Sequence, residues 1–160
     1  MQQPPEIESF YQSPDPWGFQ SNPEDTRRKE RIVKAAGSLG LFERALDIGA
    51  GEGWITGSLP AKELYGLESS NLAAQRFPLH VTRVLKPQGQ YDLVLATGVL
   101  YRHYDTALFF DLISRHASKI VITCNIKTWE VEETLGIGKM VRVEEFPYRE
   151  FTQVLRIFEV

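Results

Sequence analysis

One stretch of the sequence, from Ala45 to Trp54, restricts the possible fold more than any other. It reads ALDIGAGEGW, a short apolar run that leads directly into three glycines at alternate positions. Such glycines allow a sharp turn and leave no side chain between the main-chain N–H groups and a ligand. We therefore predict a buried strand over 44–48, a ligand-binding turn, and a helix over 54–59 whose N-terminal N–H groups face the same ligand.

The residues in and after this turn favour a cationic ligand over a dinucleotide. A dinucleotide-binding turn has a third glycine where this chain has Trp54, and the Glu52 carboxylate would repel a pyrophosphate. Asp47 and Glu52 would instead attract positive charge. Glu68 follows a second apolar run, and its two oxygens can accept hydrogen bonds from both hydroxyls of a ribose. S-adenosylmethionine meets these requirements because it carries a ribose, a sulfonium and an ammonium group and no phosphate.

The order of these motifs resembles that of class I S-adenosylmethionine-dependent methyltransferases. The matching residues are DIGAGEG at 47–53, then Glu68, then YDLVLA at 91–96. The upstream run YQSPDPWGF at 11–19 is similar to the entry segment of nodulation S-type N-methyltransferases and their small-molecule relatives. The resemblance covers roughly the first two thirds of the chain. It implies an α/β fold, a Rossmann-like three-layer sandwich with a mostly parallel sheet, and S-adenosylmethionine as cofactor.

The length and the end of the chain agree with one such domain. With 160 residues, of which 42% are hydrophobic, the chain can bury one core and is too short for two ordinary domains. We predict a single methyltransferase domain over 1–160, with an N-terminal lid segment at 1–23 and the Rossmann-like core at 24–160. The alternating runs Lys139–Glu145 and Phe151–Glu159 predict the C-terminal antiparallel hairpin that completes such sheets.

The region of the third strand is compressed. We predict that strand at 79–85, but only residues 86–90 separate it from the strong strand that starts at Tyr91. A parallel crossover with a helix needs about a dozen residues, and five extended residues reach only about 17 Å. Either the third strand is very short or the whole stretch 77–90 serves as the crossover.

The segment from Tyr11 to Phe19 has two interpretations. Its prolines favour a frayed terminus, but disordered segments are depleted in aromatic residues, and this one carries several. We predict that it folds back as a lid, which the resemblance places over the cofactor and the acceptor pocket. The next residues predict a helix from about 24 to 39. Its basic run at Arg27, Arg28, Lys29 and Arg31 alternates with acids, which favours a solvated helix face over a phosphate-binding tract.

Candidate site residues lie at the turn, after the second strand and after the strand at 91–96, because ligands bind beyond the carboxyl ends of parallel strands. His103 is the candidate base that removes a proton from the acceptor, and Tyr101 and Tyr104 would line the acceptor pocket. The predicted cofactor-binding residues are Tyr11, Trp17, Asp47, Gly49, Ala50, Gly51, Gly53, Trp54, Glu68, Ser69, Thr97 and Gly98.

The sequence favours a methyltransferase that acts on nitrogen or oxygen of a small molecule, such as a sugar-like compound or another metabolite. Thr97-Gly98-Val99-Leu100 stands where amino-methylating nucleic-acid enzymes carry an Asn-Pro-Pro-Tyr or Asp-Pro-Pro-Tyr motif, so we do not expect a nucleic-acid acceptor. Two alternatives remain: a non-catalytic S-adenosylmethionine-binding module that acts in a complex or as a sensor, and a nicotinamide oxidoreductase.

Composition limits the partners and the compartment. The net charge of −3 gives no general attraction to nucleic acid or to an anionic membrane. His80 and His116 have no metal ligands at useful spacing, and no apolar run reaches the twenty residues of a membrane span, so we expect neither metal nor membrane. Cys124 is the single cysteine and suits a reducing compartment, which predicts a cytoplasmic location.

Overall fold

Seven strands form one mixed sheet in the residues that the computed structural model describes, which are 6–99, 106–125 and 137–160. The strands are β1 Phe42–Ile48, β2 Ala61–Leu67, β3 Val81–Val84, β4 Tyr91–Thr97, β5 Ala117–Asn125, β6 Lys139–Tyr148 and β7 Phe151–Glu159. The helices in these ranges are α1 Glu6–Phe10, α2 Pro23–Gly37, α3 Asn71–Ala74 and α4 Thr106–His116.

The strand order is β3-β2-β1-β4-β5-β7-β6. Strands β1 to β5 pair in parallel, while β7 pairs antiparallel with both β5 and β6. The chain moves from β1 outward to β2 and β3, then returns to the other side of β1 with β4. The carboxyl ends of β1 and β4 therefore form the point where the direction of winding reverses, which is where open α/β sheets bind ligands.

Helices cover both faces of the sheet. On one face α2 buries Ile32, Ala35 and Ala36 against strand residues that include Leu93 and Leu95. On the other face α4 buries Phe110 and Ile113, and this second cluster includes further residues of β1, β4 and β5. Strand residues alternate between the two layers because successive side chains point to opposite sides of a sheet. The predicted three-layer Rossmann-like fold with its C-terminal antiparallel hairpin is confirmed.

The predicted helix over 54–59 is wrong. After the glycine turn the chain makes a single 3₁₀ turn, Thr56–Ser58, and Leu59 is already extended. Gly57 and Pro60 both disfavour a helix here. A side chain at Gly57 would come within 2.9 Å of the Pro78 ring, so this glycine allows the turn to pack closely on the chain after α3.

The compression at the third strand is confirmed, and it takes the form of a very short strand. β3 has four residues and pairs only with the last four of β2. The connection to β4 contains residues 85–90 and no helix. The Arg44 side chain holds this connection, since Nη1 donates to the Gln90 carbonyl at 2.7 Å, and its guanidinium covers the rings of Tyr65 and Tyr91 at 5.0 and 4.7 Å. Arg44 thus packs on the aromatic rings of β2 and β4 and holds the short connection between β3 and β4.

Candidate functional site

The glycine turn lies at the carboxyl end of β1, beside the ends of β2 and β4. Gly49, Gly51 and Gly53 all have positive φ, at 70°, 58° and 76°. A Cβ at Gly53 would lie 2.9 Å from Pro78, and one at Gly49 would collide with Val99. Both the backbone conformation and the space therefore require glycine, which leaves the main chain of the turn uncovered by side chains of its own.

Glu68 braces this turn from the end of β2. Its Oε2 accepts a hydrogen bond from Gly51 N at 2.9 Å, and its Oε1 accepts one from Ser70 N at 2.8 Å. The residue is only 5% exposed. Each carboxylate oxygen has two lone pairs, so Glu68 retains the capacity to accept hydrogen bonds from ligand hydroxyls at the turn. Glu68 is therefore in direct contact with the glycine turn.

Ser69, one of the predicted cofactor-binding residues, lies between Glu68 and α3. The N-cap of α3 is the next residue, Ser70, whose Oγ accepts from Ala73 N at 3.1 Å. Ser69 instead donates from its Oγ to Glu68 Oε1 at 3.3 Å. The loop conformation after β2 decides which of the two adjacent serines is in register with the helix.

Asp47 is a buried carboxyl group at the end of β1. Its Oδ2 accepts a hydrogen bond from Thr56 Oγ1 at 2.7 Å, while its Oδ1 has no hydrogen-bond partner among the described residues. Burial raises the pKa of Asp47 to about 7; the Thr56 bond and the Arg28 charge oppose this rise, and Glu68 adds to it. A buried acceptor without a partner next to a glycine turn marks a place where a cation or a hydrogen-bond donor would be stabilised.

Arg28 lies next to the candidate site, a position that the sequence pattern did not predict. It is 6% exposed, so the predicted solvated face of the basic run is wrong for this residue. Its Nε donates to Gln153 Oε1 at 2.8 Å and its Nη2 to Thr123 Oγ1 at 3.2 Å. A Cβ on Gly98 would lie 3.4 Å from the same guanidinium, which places Arg28 at the carboxyl ends of β4 and β5.

A sequence signal for this burial existed. Asp25, Arg28 and Ile32 follow one another at intervals of three and four residues, so they share the helix face that packs on the sheet. Asp25 is fully buried and accepts hydrogen bonds from the Tyr148 hydroxyl and from Arg149 Nη2, the latter at 2.7 Å. The pair ties α2 to the turn between β6 and β7.

Residues 11–19, which we call the strap, lie against the glycine turn. Tyr11 is 6% exposed, and its hydroxyl is 3.2 Å from where a Cβ of Gly51 would be. Further along, the ring of Trp17 stacks on that of Phe19 at 6.5 Å, and Phe19 stacks on Trp54 at 6.1 Å between ring centroids. The strap thus packs beside both ends of the turn, and Trp54 contributes to this packing.

Polar contacts fasten the strap at both ends. Arg76 Nη2 donates to the Tyr11 carbonyl at 2.8 Å, and Arg149 Nη2 donates to the Trp17 carbonyl at 3.1 Å. Glu52 accepts from Asp15 N at 3.0 Å and forms an ion pair with Arg76 at 2.7 Å. We expected Glu52 to face a cationic ligand; its carboxylate is instead committed to the strap, because Arg76 approaches from α3's side of the turn.

The structure brings together several predicted cofactor-binding residues at the switch point: Tyr11, Asp47, Gly49, Ala50, Gly51, Gly53 and Glu68. Thr97 and Gly98 lie at the end of the neighbouring strand β4. Trp17 and Trp54 belong to the aromatic stack over the turn. Tyr101, His103 and Tyr104, the predicted catalytic residues, lie outside the described residues.

Among residues 6–99, 106–125 and 137–160, no group of three His, Cys, Asp or Glu side chains is arranged to hold a metal ion. Within the same ranges, none of the helices is both long enough and apolar enough to cross a membrane.

Comparison with known proteins identifies the fold. No protein-family model matches the sequence, and no curated protein matches it significantly. Among solved structures, the N-methyltransferase NodS of Bradyrhizobium japonicum WM9, in complex with S-adenosyl-L-homocysteine, is similar with a TM-score of 0.80 at 18% identity, over 96% of this chain and 95% of that one. Magnesium protoporphyrin IX methyltransferase of Synechocystis PCC 6803, with bound S-adenosylmethionine, gives 0.70 at 15% identity, over 96% and 95% of the two chains.

In each comparison the similarity extends over almost the whole length of both chains, and it includes the C-terminal part that the sequence motifs do not cover. At these identities they establish the fold. The family resemblance that we predicted from the order of the motifs is confirmed at this level: the chain has the Rossmann-like fold of class I S-adenosylmethionine-dependent methyltransferases.

Proposed function

We propose that this protein is an S-adenosylmethionine-dependent methyltransferase that transfers a methyl group to nitrogen or oxygen of a small molecule. The observation that carries the proposal is the pair of buried carboxyl groups at the glycine turn. Glu68 retains acceptor capacity beside Gly51, and Asp47 has a buried oxygen that no described residue satisfies. A ligand with a ribose and a positive charge fits both groups, because its hydroxyls can donate to Glu68 and its charge is favoured beside Asp47.

The residues present fit this cofactor. Glu68 would accept hydrogen bonds from the ribose hydroxyls, since it already reaches the turn. Asp47 would face the cationic methionine portion, where an ionised carboxylate is favoured by nearby positive charge. Arg28, on the other side of the switch point, would bind the carboxylate of the same portion, because its guanidinium reaches Gly98 at the end of β4.

The chemistry asks mainly for positioning. Bound S-adenosylmethionine supplies a methyl group on a good leaving group, so the protein needs to align an acceptor atom and to remove its proton. We propose His103 as the residue that accepts this proton, and Tyr101 and Tyr104 as walls of the acceptor pocket. All three follow β4 closely in the sequence, and β4 ends at the edge of the sheet where Asp47 and Glu68 lie. The aromatic strap would exclude water from the same side.

Two structural neighbours support the choice of ligand. The NodS structure holds S-adenosyl-L-homocysteine, and the magnesium protoporphyrin IX methyltransferase structure holds S-adenosylmethionine. Their acceptors do not transfer to this chain, because fold similarity alone does not carry substrate specificity.

One observation favours a second function, a binding module without catalysis. The six-residue connection between β3 and β4 has no helix, which reduces the layer that usually covers that face of the sheet. In this alternative the glycine turn binds the cofactor and no acceptor pocket forms. Turnover of any acceptor in a panel of amines, hydroxyl compounds and sugars would exclude it.

The first test is calorimetric titration with S-adenosylhomocysteine, with NADH as the control ligand. We expect saturable micromolar binding of S-adenosylhomocysteine, at a stoichiometry of about one, and no binding of NADH. NADH binding alone would instead support the nicotinamide oxidoreductase. Binding of neither ligand would contradict the assignment of the turn as a cofactor site.

The strap predicts a second, independent effect. Trp17→Ala should raise the dissociation constant of S-adenosylhomocysteine about three- to tenfold, because it removes the ring that stacks on Phe19 and joins the strap to Trp54. Leu108→Ala is the matched control. It truncates an exposed apolar residue on α4, outside the strap, and should leave the dissociation constant unchanged. Equal affinities of the wild-type protein and the Trp17 variant would show that the strap has no part in binding.

A further inference from the structure

The outward face of α2 carries three cations in a row. Arg27, Arg31 and Lys34 are exposed and follow one another at intervals of four and three residues, so they form one ridge along the helix. None of them makes an ion pair within the part of the chain that the structure describes. The predicted solvated helix face agrees with the exposure of these three side chains, but the acids of α2 do not pair with them.

The ridge forms one wall of a groove with the edge strand β6. The groove is open to solvent and has a volume of about 440 Å³, and Arg142 of β6 lies on its opposite side. Arg142 is held in place because its Nη1 donates to Ser38 Oγ at 3.1 Å and its Nη2 pairs with Glu144. Arg31 is held as well, with its guanidinium 5.2 Å from the centre of the Phe146 ring.

The charge of the groove is opposite to that of the protein. Its lining contains four cations and only two acids, Glu30 and Glu144, and Arg142 already neutralises the second. A surplus of two positive charges results, in a chain with a net charge of −3. A carboxylate would leave half of this surplus uncompensated, whereas a phosphate monoester carries about −1.5 to −2 charges at pH 7 and offers several oxygens to arginine forks.

We propose that the groove between α2 and β6 binds a phosphate-bearing ligand through Arg27, Arg31 and Lys34. Arg31 and Arg142 supply the preorganised part of the site. The proposal stands without the methyltransferase assignment, because none of these four residues touches the glycine turn, Asp47 or Glu68. Binding can therefore be measured in the absence of any cofactor.

The test is an NMR titration of the ¹⁵N-labelled protein with inorganic phosphate at pH 7.5, at an ionic strength held constant with chloride. We expect saturable shifts confined to residues around 27–34 and 142–144, with half-saturation in the millimolar range. A parallel titration with phenyl phosphate distinguishes the source: tighter binding indicates an organic phosphomonoester, and equal binding indicates free phosphate. Shifts that do not saturate, or that spread over all exposed cations, would overturn the proposal.

A pair of variants separates a specific site from general charge attraction. Arg27→Gln/Arg31→Gln should weaken phosphate binding at least tenfold. Lys86→Gln/Arg115→Gln removes the same net charge from exposed positions on the β3–β4 connection and on α4, and it should leave the affinity within twofold of wild type. Equal weakening in both double variants would mean that only net charge matters, and the groove would then not be a site.

Discussion

Replacement of Glu68 by alanine is expected to weaken S-adenosylhomocysteine binding by ten- to a hundredfold. The change removes a buried charged acceptor for the ribose, and losses of such hydrogen bonds amount to about 1.5–3 kcal/mol. It also leaves the backbone N–H groups of Gly51 and Ser70 without the hydrogen bonds that they donate to Glu68, with N–O distances of 2.9 and 2.8 Å. The turn would lose its brace, so cofactor affinity should suffer more than the ligand contact alone predicts.

Two controls separate these effects. Glu68→Gln keeps the shape and one acceptor oxygen, and it should bind more tightly than the alanine variant but less tightly than wild type. Glu63→Ala removes an exposed carboxylate from β2, the strand that precedes Glu68, far from the turn, and its affinity should match wild type. Titration calorimetry on all four proteins measures the series, and an unchanged affinity in Glu68→Ala would remove Glu68 from the site.

We expect Asp47→Asn to stabilise the folded protein and, at the same time, to lower its affinity for S-adenosylmethionine. The folded state raises the pKa of Asp47 from 3.8 to about 7, chiefly through burial. Between these values the folded protein retains a proton that the unfolded chain has lost, so stability falls as pH rises from about 4 to 7 and stays reduced above it. Asparagine removes this pH-dependent loss. We therefore expect the free energy of unfolding to increase by about 2 kcal/mol at pH 8 and by a smaller amount at pH 5.

The affinity for S-adenosylmethionine should rise with pH, whereas the stability of the protein falls. The ionised form of Asp47 attracts the cationic methionine portion, so wild-type affinity for S-adenosylmethionine should increase between pH 6 and 8, as the carboxyl group loses its proton. In Asp47→Asn this increase should disappear, and affinity at pH 8 should be about tenfold lower. Thermal melts at both pH values and titrations across the range provide the data. Asp111→Asn, an exposed variant on α4, is the control; a stability gain independent of pH would contradict the buried-carboxyl explanation.

The features that sequence predicted well are local and repetitive. The apolar runs before the glycine turn and at 91–96 are long enough to be strands only in a sheet core, and they became β1 and β4. The glycines at alternate positions required an unusual backbone, and all three adopt positive φ. The shortage of residues before β4 excluded a helical crossover by simple geometry, which the six-residue connection confirms.

Two of the failures concern which partner a polar side chain meets. The position of Glu52 in the turn predicts a contact with the ligand, but its carboxylate instead accepts from Asp15 N and pairs with Arg76, which are distant in sequence. Arg28 was grouped with its solvated neighbours, although one helix turn places it against Thr123 and Gln153. The third failure, the helix over 54–59, has a local cause in Gly57 and Pro60, and Gly57 also packs on Pro78, which is distant in the sequence.

By itself, then, the sequence determined the main strands along the chain, the glycine turn and the pair of carboxylates at its edge, because backbone conformation and hydrophobic periodicity are properties of neighbouring residues. Only the tertiary structure decided that Asp47 has a buried, unsatisfied oxygen, that Arg28 faces the switch point, and that the cations of α2 meet Arg142 across a groove. Burial and charge compensation depend on segments that are far apart in the chain, and these contacts exist only once the sheet and its helices have packed.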